Sequence, residues 1–314
     1  MKNNFFKAAA VQASPVFLDK KRTVGKACHL INEASKKGAK LVVFPESYIP
    51  CYPDWVWLIP SGKGSMHSEL YSEFVENSVS IPDDSVSKLC RAAKKAKVNV
   101  VMGMSERNSE SSNSSLYNTL LYIDSDGNIL GKHRKLVPTG GERLVWAMGN
   151  GSTLEAYDTD TGKIGGLICW ENYMLLARNA MYSYGTQVYV APTWDKGESW
   201  LTALKHIANE GGLFVIGCCM VLRKKEIPDK YKFRDLYASE KDWISTGESV
   251  IVNPGGKIIA GPLSKEEGIL IADIDLSDIR RSKWQLDTSG HYSRPDVFKF
   301  TVNKNPYPNI ESSS

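Results

Sequence analysis

No stretch of the chain is both apolar and long enough to cross a bilayer. Runs such as Leu167 to Trp170 and Leu213 to Cys219 fall far short of the roughly 20 residues that a spanning helix needs. Long runs of one charge are missing too, Lys20-Lys21-Arg22 being typical, and 39 Lys and Arg stand against 35 Asp and Glu. Charge therefore lends no support to a nucleic-acid or membrane-surface role. The six cysteines, Cys28, Cys51, Cys90, Cys169, Cys218 and Cys219, form no CxxC pairs. A chain of 314 residues needs no staples, so reduced thiols and a cytoplasmic location are expected. Gly (25) and Pro (14) are too few, and hydrophobic residues (42%) too many, for a disordered or collagen-like chain. A Walker A loop, GxGxxG, GxSxG, HExxH and zinc-type spacings are all lacking, so phosphate, dinucleotide and metal chemistry have no motif to rest on.

The hydrophobic pattern is that of a mixed α/β chain. Met1 to Val16 is too short in apolar residues, and too interrupted by Lys7, for a signal peptide, and Phe5 to Gln12 reads as a strand. Asp19 then caps a helix with Val24, Cys28, Ile31 and Ala34 on one face, ended by Gly38, and Leu41 to Phe44 is a short buried-strand run. Strand, helix, strand is the βαβ pattern. A second helix begins at Asp84 and the strand Val98 to Met104 follows. Leu116 to Ile123 and Ile129 to His133 flank a turn at residues 125–128, and a second hairpin is expected around Asp160 and Gly162. The strand Lys163 to Ile168 then leads into a helix through about Ser183, and Gln187 to Ala191 forms the next strand. A helix from Glu198 to Asn209 precedes the strand Leu213 to Cys218, and a last hairpin turns at residues 253–256. One domain is expected over residues 1–302, with a polar tail over 303–314.

Charged or nucleophilic residues stand where apolar strands end, the place where open α/β sheets bind ligands. Glu46, after Phe44-Pro45, is either a carboxylate held in a partly dry site for general-base work or a local cap. Cys169, after Gly165-Gly166-Leu167-Ile168, is either a thiol activated where strand passes into helix or a small buried hydrophobe. Lys135 is a solvated strand end or an ammonium that stabilises charge developing on a substrate. Glu142 is equally open. His291 is the base of a Cys/His pair or a surface or interface histidine.

Taken together, Phe-Pro-Glu at Glu46, His-Arg-Lys-Leu-x-Pro-Thr around Lys135, Gly-Glu-Arg at Glu142, Cys-Trp-Glu-Asn at Cys169 and Gly-His-Tyr-x-Arg-Pro-Asp at His291 resemble, in order and wording, the nitrilase branch of the carbon-nitrogen hydrolase superfamily. The resemblance runs over almost the whole chain. It implies a four-layer α-β-β-α sandwich, a Glu46, Lys135, Cys169 triad with Glu142 as a second carboxylate, and no metal or organic cofactor. It also implies a small nitrile substrate hydrolysed to carboxylic acid and ammonia through a cysteine thioimidate and thioester, in a homodimer or larger homo-oligomer. Cyanide dihydratase, cyanide hydratase or amidase activity is the alternative on the same residues, and a non-catalytic scaffold is disfavoured by the intact thiol, ammonium and carboxylates. Tyr52, Trp146, Trp170 and Tyr173 either line the pocket or pack behind it, and Trp55 and Trp57 are candidates for a subunit interface. Cys51 and Leu175 depart from the glycine and proline usual in similar sequences. Both bear on the pocket more than on the chemistry.

Overall fold

The structure, a computed structural model, describes residues 4–238 and 242–306. The chain runs β1 (Phe5–Gln12), α1 (Lys20–Lys36), β2 (Ala39–Val43), α2 (Gly64–Asn77), α3 (Asp84–Ala96), β3 (Asn99–Arg107), β4 (Leu116–Ile123) and β5 (Ile129–Arg134). It continues through β6 (Ala156–Thr159), β7 (Gly162–Gly166), α4 (Leu175–Ser183), β8 (Val188–Thr193), α5 (Glu198–Gly211), β9 (Phe214–Cys219), β10 (Val221–Arg223), β11 (Trp243–Val252), β12 (Ile258–Ser264), β13 (Gly268–Asp275) and α6 (Ser277–Lys283). Asp19 caps α1 as expected, its carboxylate accepting from the Arg22 amide at 2.9 Å. Asp83 caps α3 in the same way through the Val86 amide.

Two mixed sheets result. The first has the order β13-β1-β2-β3-β4-β5, and the second β10-β11-β9-β8-β7-β6 with β12 paired on β11. The pairs β1–β2, β2–β3, β7–β8 and β8–β9 are parallel, and the hairpins β4–β5, β6–β7 and β11–β12 are antiparallel. Parallel strands need crossovers, and α1, α3, α4 and α5 supply amphipathic ones. Val24, Ala27, Ile31, Val86, Leu89 and Ala93 pack on one face of the first sheet, with Ala9, Val42 and Met102. Ala180, Met181, Trp200, Leu204 and Ile207 pack on the second sheet, with Tyr189 and Val215. Between the sheets, Ala8, Leu41, Val43, Val101 and Tyr122 of the first meet Ile164, Val188, Val190, Phe214 and Ile251 of the second. The layers are therefore α-β-β-α in a single domain, as the resemblance implied.

Three expectations need correction. The helix expected directly after Ile168 is split into a 3-10 turn, Cys169–Tyr173, and α4, because Met174 takes an extended ψ of 99° between them. Trp55 is no interface residue of this fold: it is 1% exposed, in an aromatic cluster with Phe17, Phe74 and Phe233, whereas Trp57 is 48% exposed. Lys135 is no solvated strand end, being 0% exposed. Part of the expected polar tail, residues 307–314, lies outside the described residues.

Candidate active site

Side chains from both sheets converge at one end of the sandwich. Glu46 follows β2 in a tight turn that the neighbouring strand permits only through glycine: a β-carbon on Gly103 of β3 would stand 1.9 Å from the Pro45 carbonyl oxygen. Lys135 follows β5 and is fixed on both sides, its amide donating to the Asn118 carbonyl and its own carbonyl accepting from Gly149, each at 2.8 Å. Glu142 lies in the 3-10 turn Gly140–Leu144. Cys169 follows β7 with φ +53°, a left-handed conformation unusual for a residue with a side chain, and is 5% exposed.

Lys135 Nζ donates to Glu46 Oε1 and to Glu142 Oε2, both at 2.8 Å, so one ammonium bridges two buried carboxylates. Asn118 Nδ2 donates to Glu46 Oε1 at 2.7 Å, and the Trp194 amide, at the end of β8, donates to Glu46 Oε2 at 2.8 Å. Glu142 also accepts from the Tyr52 hydroxyl and the Thr139 amide, each at 2.8 Å. The Thr193 hydroxyl donates to Cys169 Sγ at 3.2 Å. Every carboxylate oxygen of the cluster thus has a donor, the condition for keeping charge in a dry site.

Burial, with the Glu142 charge adding to it, raises the pKa of Glu46, while Lys135 and Asn118 oppose the rise. Burial works to discharge Lys135, yet Glu46, Cys169 and Glu142 outweigh it and hold the ammonium protonated. Burial and the charge of Glu46 push the Cys169 thiol well above its ordinary value, against the pull of Lys135 and Thr193. Of the two readings of Cys169, the activated thiol draws no support from an α-helix N-terminus. Cys169 enters a 3-10 turn, and desolvation beside carboxylates keeps the proton on sulfur.

Of the aromatic residues singled out, Tyr52 and Trp146 are buried and pack edge-on at 5.7 Å, Tyr52 touching Glu142 and Trp146 donating to the Ser105 hydroxyl. Trp170 and Tyr173 are half exposed, edge-on at 5.9 Å, with Trp170 Nε1 donating to Asp195. His291 is exposed and lies against Tyr292, the surface placement rather than the base of a Cys/His pair. Sequence reasoning missed Asn118, Thr193 and the Trp194 amide. Thr193 stands at a strand end like Glu46 and Cys169, and that position was its signal. Among the described residues no group of three or more His, Cys, Asp or Glu side chains is arranged to hold a metal, and no helix is long and apolar enough to cross a membrane.

A sulfur, two carboxylates and an ammonium in one buried cluster suit covalent attack on a carbon whose substituent gathers negative charge. The family model for carbon-nitrogen hydrolases matches residues 7–283. Nitrilase 2 of Arabidopsis thaliana is 43% identical, covering 96% of this chain and 89% of its own length. An aliphatic nitrilase of Sinorhizobium fredii is 40% identical, covering 96% of each chain. A bifunctional nitrilase/nitrile hydratase of Nicotiana tabacum is 41% identical over 94% of this chain and 85% of its own. The crystal structure of a nitrilase-superfamily member from Saccharomyces cerevisiae superposes with a TM-score of 0.71 at 23% identity, covering 92% of this chain and 96% of the other.

Proposed function

The chain belongs to the carbon-nitrogen hydrolase family, and from that premise we propose that it is a nitrilase, converting an organic nitrile and two waters into a carboxylic acid and ammonia. The observation that carries the reading is the single buried cluster of thiol, ammonium and two carboxylates. A nitrile carbon is a weak electrophile, so the reaction needs a strong nucleophile and a proton for the nitrogen. Glu46 takes the Cys169 proton as sulfur attacks the nitrile carbon, and that proton passes to the nitrogen, giving a thioimidate. Water adds to the same carbon, the carbon-nitrogen bond breaks and ammonia leaves, so a thioester remains. Glu46 then draws a proton from a second water, which attacks the thioester, releasing the acid and returning the thiol. Lys135 stabilises the negative charge of the tetrahedral intermediates, assisted by the amide that follows Cys169. Each of these two donors contributes about 3 kcal/mol, and Glu142 holds Lys135 in place by accepting from its ammonium.

Tyr52 and Trp146 form the inner wall beside the carboxylates, and Trp170 and Tyr173 the outer rim. Residues 1–302 act as one catalytic unit with 303–314 as a tail, in the cytoplasm. The exposed apolar side chains of Trp170, Tyr173, Leu175, Leu176, Tyr292 and Phe298 suit pairing with a second copy, which light scattering reads directly. The deciding experiment is ammonia release with separation of acid from amide on phenylacetonitrile, benzonitrile, an aliphatic dinitrile, cyanide and a matching amide. Turnover of an organic nitrile to acid, lost in a folded Cys169→Ala variant, is the expected result. Turnover confined to cyanide or the amide refutes the nitrilase reading, and ammonia release by Cys169→Ala refutes the covalent mechanism.

A further inference from the structure

Two buried titratable side chains beside the site take no part in the chemistry above. Glu171 and His133 are each 1% exposed, and His133 Nε2 lies 3.2 and 3.1 Å from the two Glu171 carboxylate oxygens. Glu171 also accepts from two backbone amides: Leu136 at 2.6 Å on Oε1 and Ile168 at 2.8 Å on Oε2. Burial opposes the Glu171 charge, but His133 and the two amides overcome it and hold the carboxyl below its ordinary pKa.

The positions of these donors are informative. Leu136 immediately follows Lys135 and His133 precedes it by two, so Glu171 touches the β5 segment on both sides of the lysine. Ile168 immediately precedes Cys169, whose left-handed backbone needs outside support. Asn172 braces the other side of the cysteine, its amide donating to the Leu167 and Cys169 carbonyls at 3.1 and 2.7 Å. β5 is in the first sheet and β7 in the second.

We propose that Glu171, held by His133, is a positioning residue that clasps the Cys169 turn to the Lys135 strand across the two sheets and so sets the alignment of sulfur and ammonium. The inference rests on the nitrilase reading for its kinetic test, though the alignment itself does not depend on the substrate. A carboxylate is required because both oxygens must accept. Glutamine would turn its amide toward one of the donating N–H groups, opposing donor to donor. His133 contributes an N–H, not a proton transfer, so any side chain that puts an N–H at the place of Nε2 serves.

The test uses the full chain carrying Glu171→Gln, His133→Leu or His133→Gln, with thermal midpoints and circular dichroism as folding controls. A misplacement on the order of 1 Å costs about 100-fold in turnover. Glu171→Gln and His133→Leu are therefore expected to lose kcat on the ~100-fold scale with KM within about threefold, the pattern of an interaction made in the transition state. His133→Gln is expected to recover most of that loss. A folded Glu171→Gln with wild-type kcat overturns the proposal, as does His133→Gln behaving like His133→Leu, which would assign His133 a proton-transfer role. Should Glu171→Gln fail to fold, the His133 pair decides. Carboxamidomethylation of the Cys169 peptide by iodoacetamide gives a readout free of any nitrile. A marked slowing in Glu171→Gln supports the clasp even if the wild type hydrolyses no nitrile, and an unchanged rate refutes it even if the enzyme is a nitrilase.

Discussion

Gly166→Ala should disable the enzyme without replacing any polar residue of the site. Gly166 lies opposite Val190 in the parallel pairing of β7 and β8, and a β-carbon there would stand 1.9 Å from the Val190 carbonyl oxygen and 2.7 Å from its Cγ2. The strands would have to part by about 1.1 Å to bring the oxygen contact to 3.0 Å, below which real β-carbons are not found. Cys169 lies three residues beyond Gly166, and Thr193 three beyond Val190. The displacement is therefore delivered to the 3.2 Å contact between the Thr193 hydroxyl and Cys169 Sγ, and to the Trp194 amide that holds Glu46. A shift of that size costs about 100-fold in kcat, and the overpacking about 1–3 kcal/mol of stability. Steady-state kinetics on a nitrile, with thermal unfolding alongside, reads both. Turnover within about threefold of wild type would refute the argument that strand spacing at this pair sets the chemistry.

Three further outcomes are expected. Glu46, the base in the proposed mechanism, has its pKa raised by burial and by the Glu142 charge, so kcat/KM should fall on acidification at a pH above the ordinary glutamate range; Glu142→Gln, which removes that charge, should move the limb of any residual activity to lower pH, and movement the other way would contradict the assignment. Glu106 accepts from Lys132, Arg134 and Thr119 and its carboxyl is held low, so its contribution is present above the unfolded value and lost as pH falls through the folded one; Glu106→Gln leaves Lys132 and Arg134 with only the exposed Glu110 as a partner and should cost about 1–3 kcal/mol in denaturant unfolding at neutral pH, an effect that shrinks in acid. Gly25 sits inside α1 with nothing within 4 Å of a β-carbon and no left-handed φ, so Gly25→Ala should raise stability by about 0.5–1 kcal/mol with kcat unchanged.

The layers were legible because their signals are local. Asp19 and Asp83 cap α1 and α3, the apolar faces of those helices recur at helical spacing, and turn residues stand between β4 and β5 and between β11 and β12. α2 went unread although Met66, Leu70 and Phe74 repeat every four residues, since only Leu70 and Phe74 of that helix are buried and the remainder looks like a polar loop. At the site, strand-end position alone left Glu46, Lys135, Glu142 and Cys169 open, and it was the order and wording of their motifs that singled them out together. Their degree of burial was not readable. Lys135 is polar in a polar-looking stretch, and only tertiary packing around Glu46, Glu142 and Asn118 removes it from water. Asn118 and the Trp194 amide act through strand register and a backbone group, which side-chain patterns do not encode. The protonated state of Cys169 likewise depends on carboxylates far away in sequence.

The pairing of β1 with β13 bears on biosynthesis. All eight residues of β1 are in register with β13, from Phe5 opposite Asp275 to Gln12 opposite Gly268. β1 thus keeps an open edge until more than 250 further residues have been translated, and a naked edge invites pairing with other chains. Translation arrested between residues 169 and 268 would release a chain that already contains Glu46, Lys135 and Cys169 but has an unsealed first sheet. Such fragments should partition to aggregation or chaperones rather than retain partial activity, so catalytic competence arrives late and all at once.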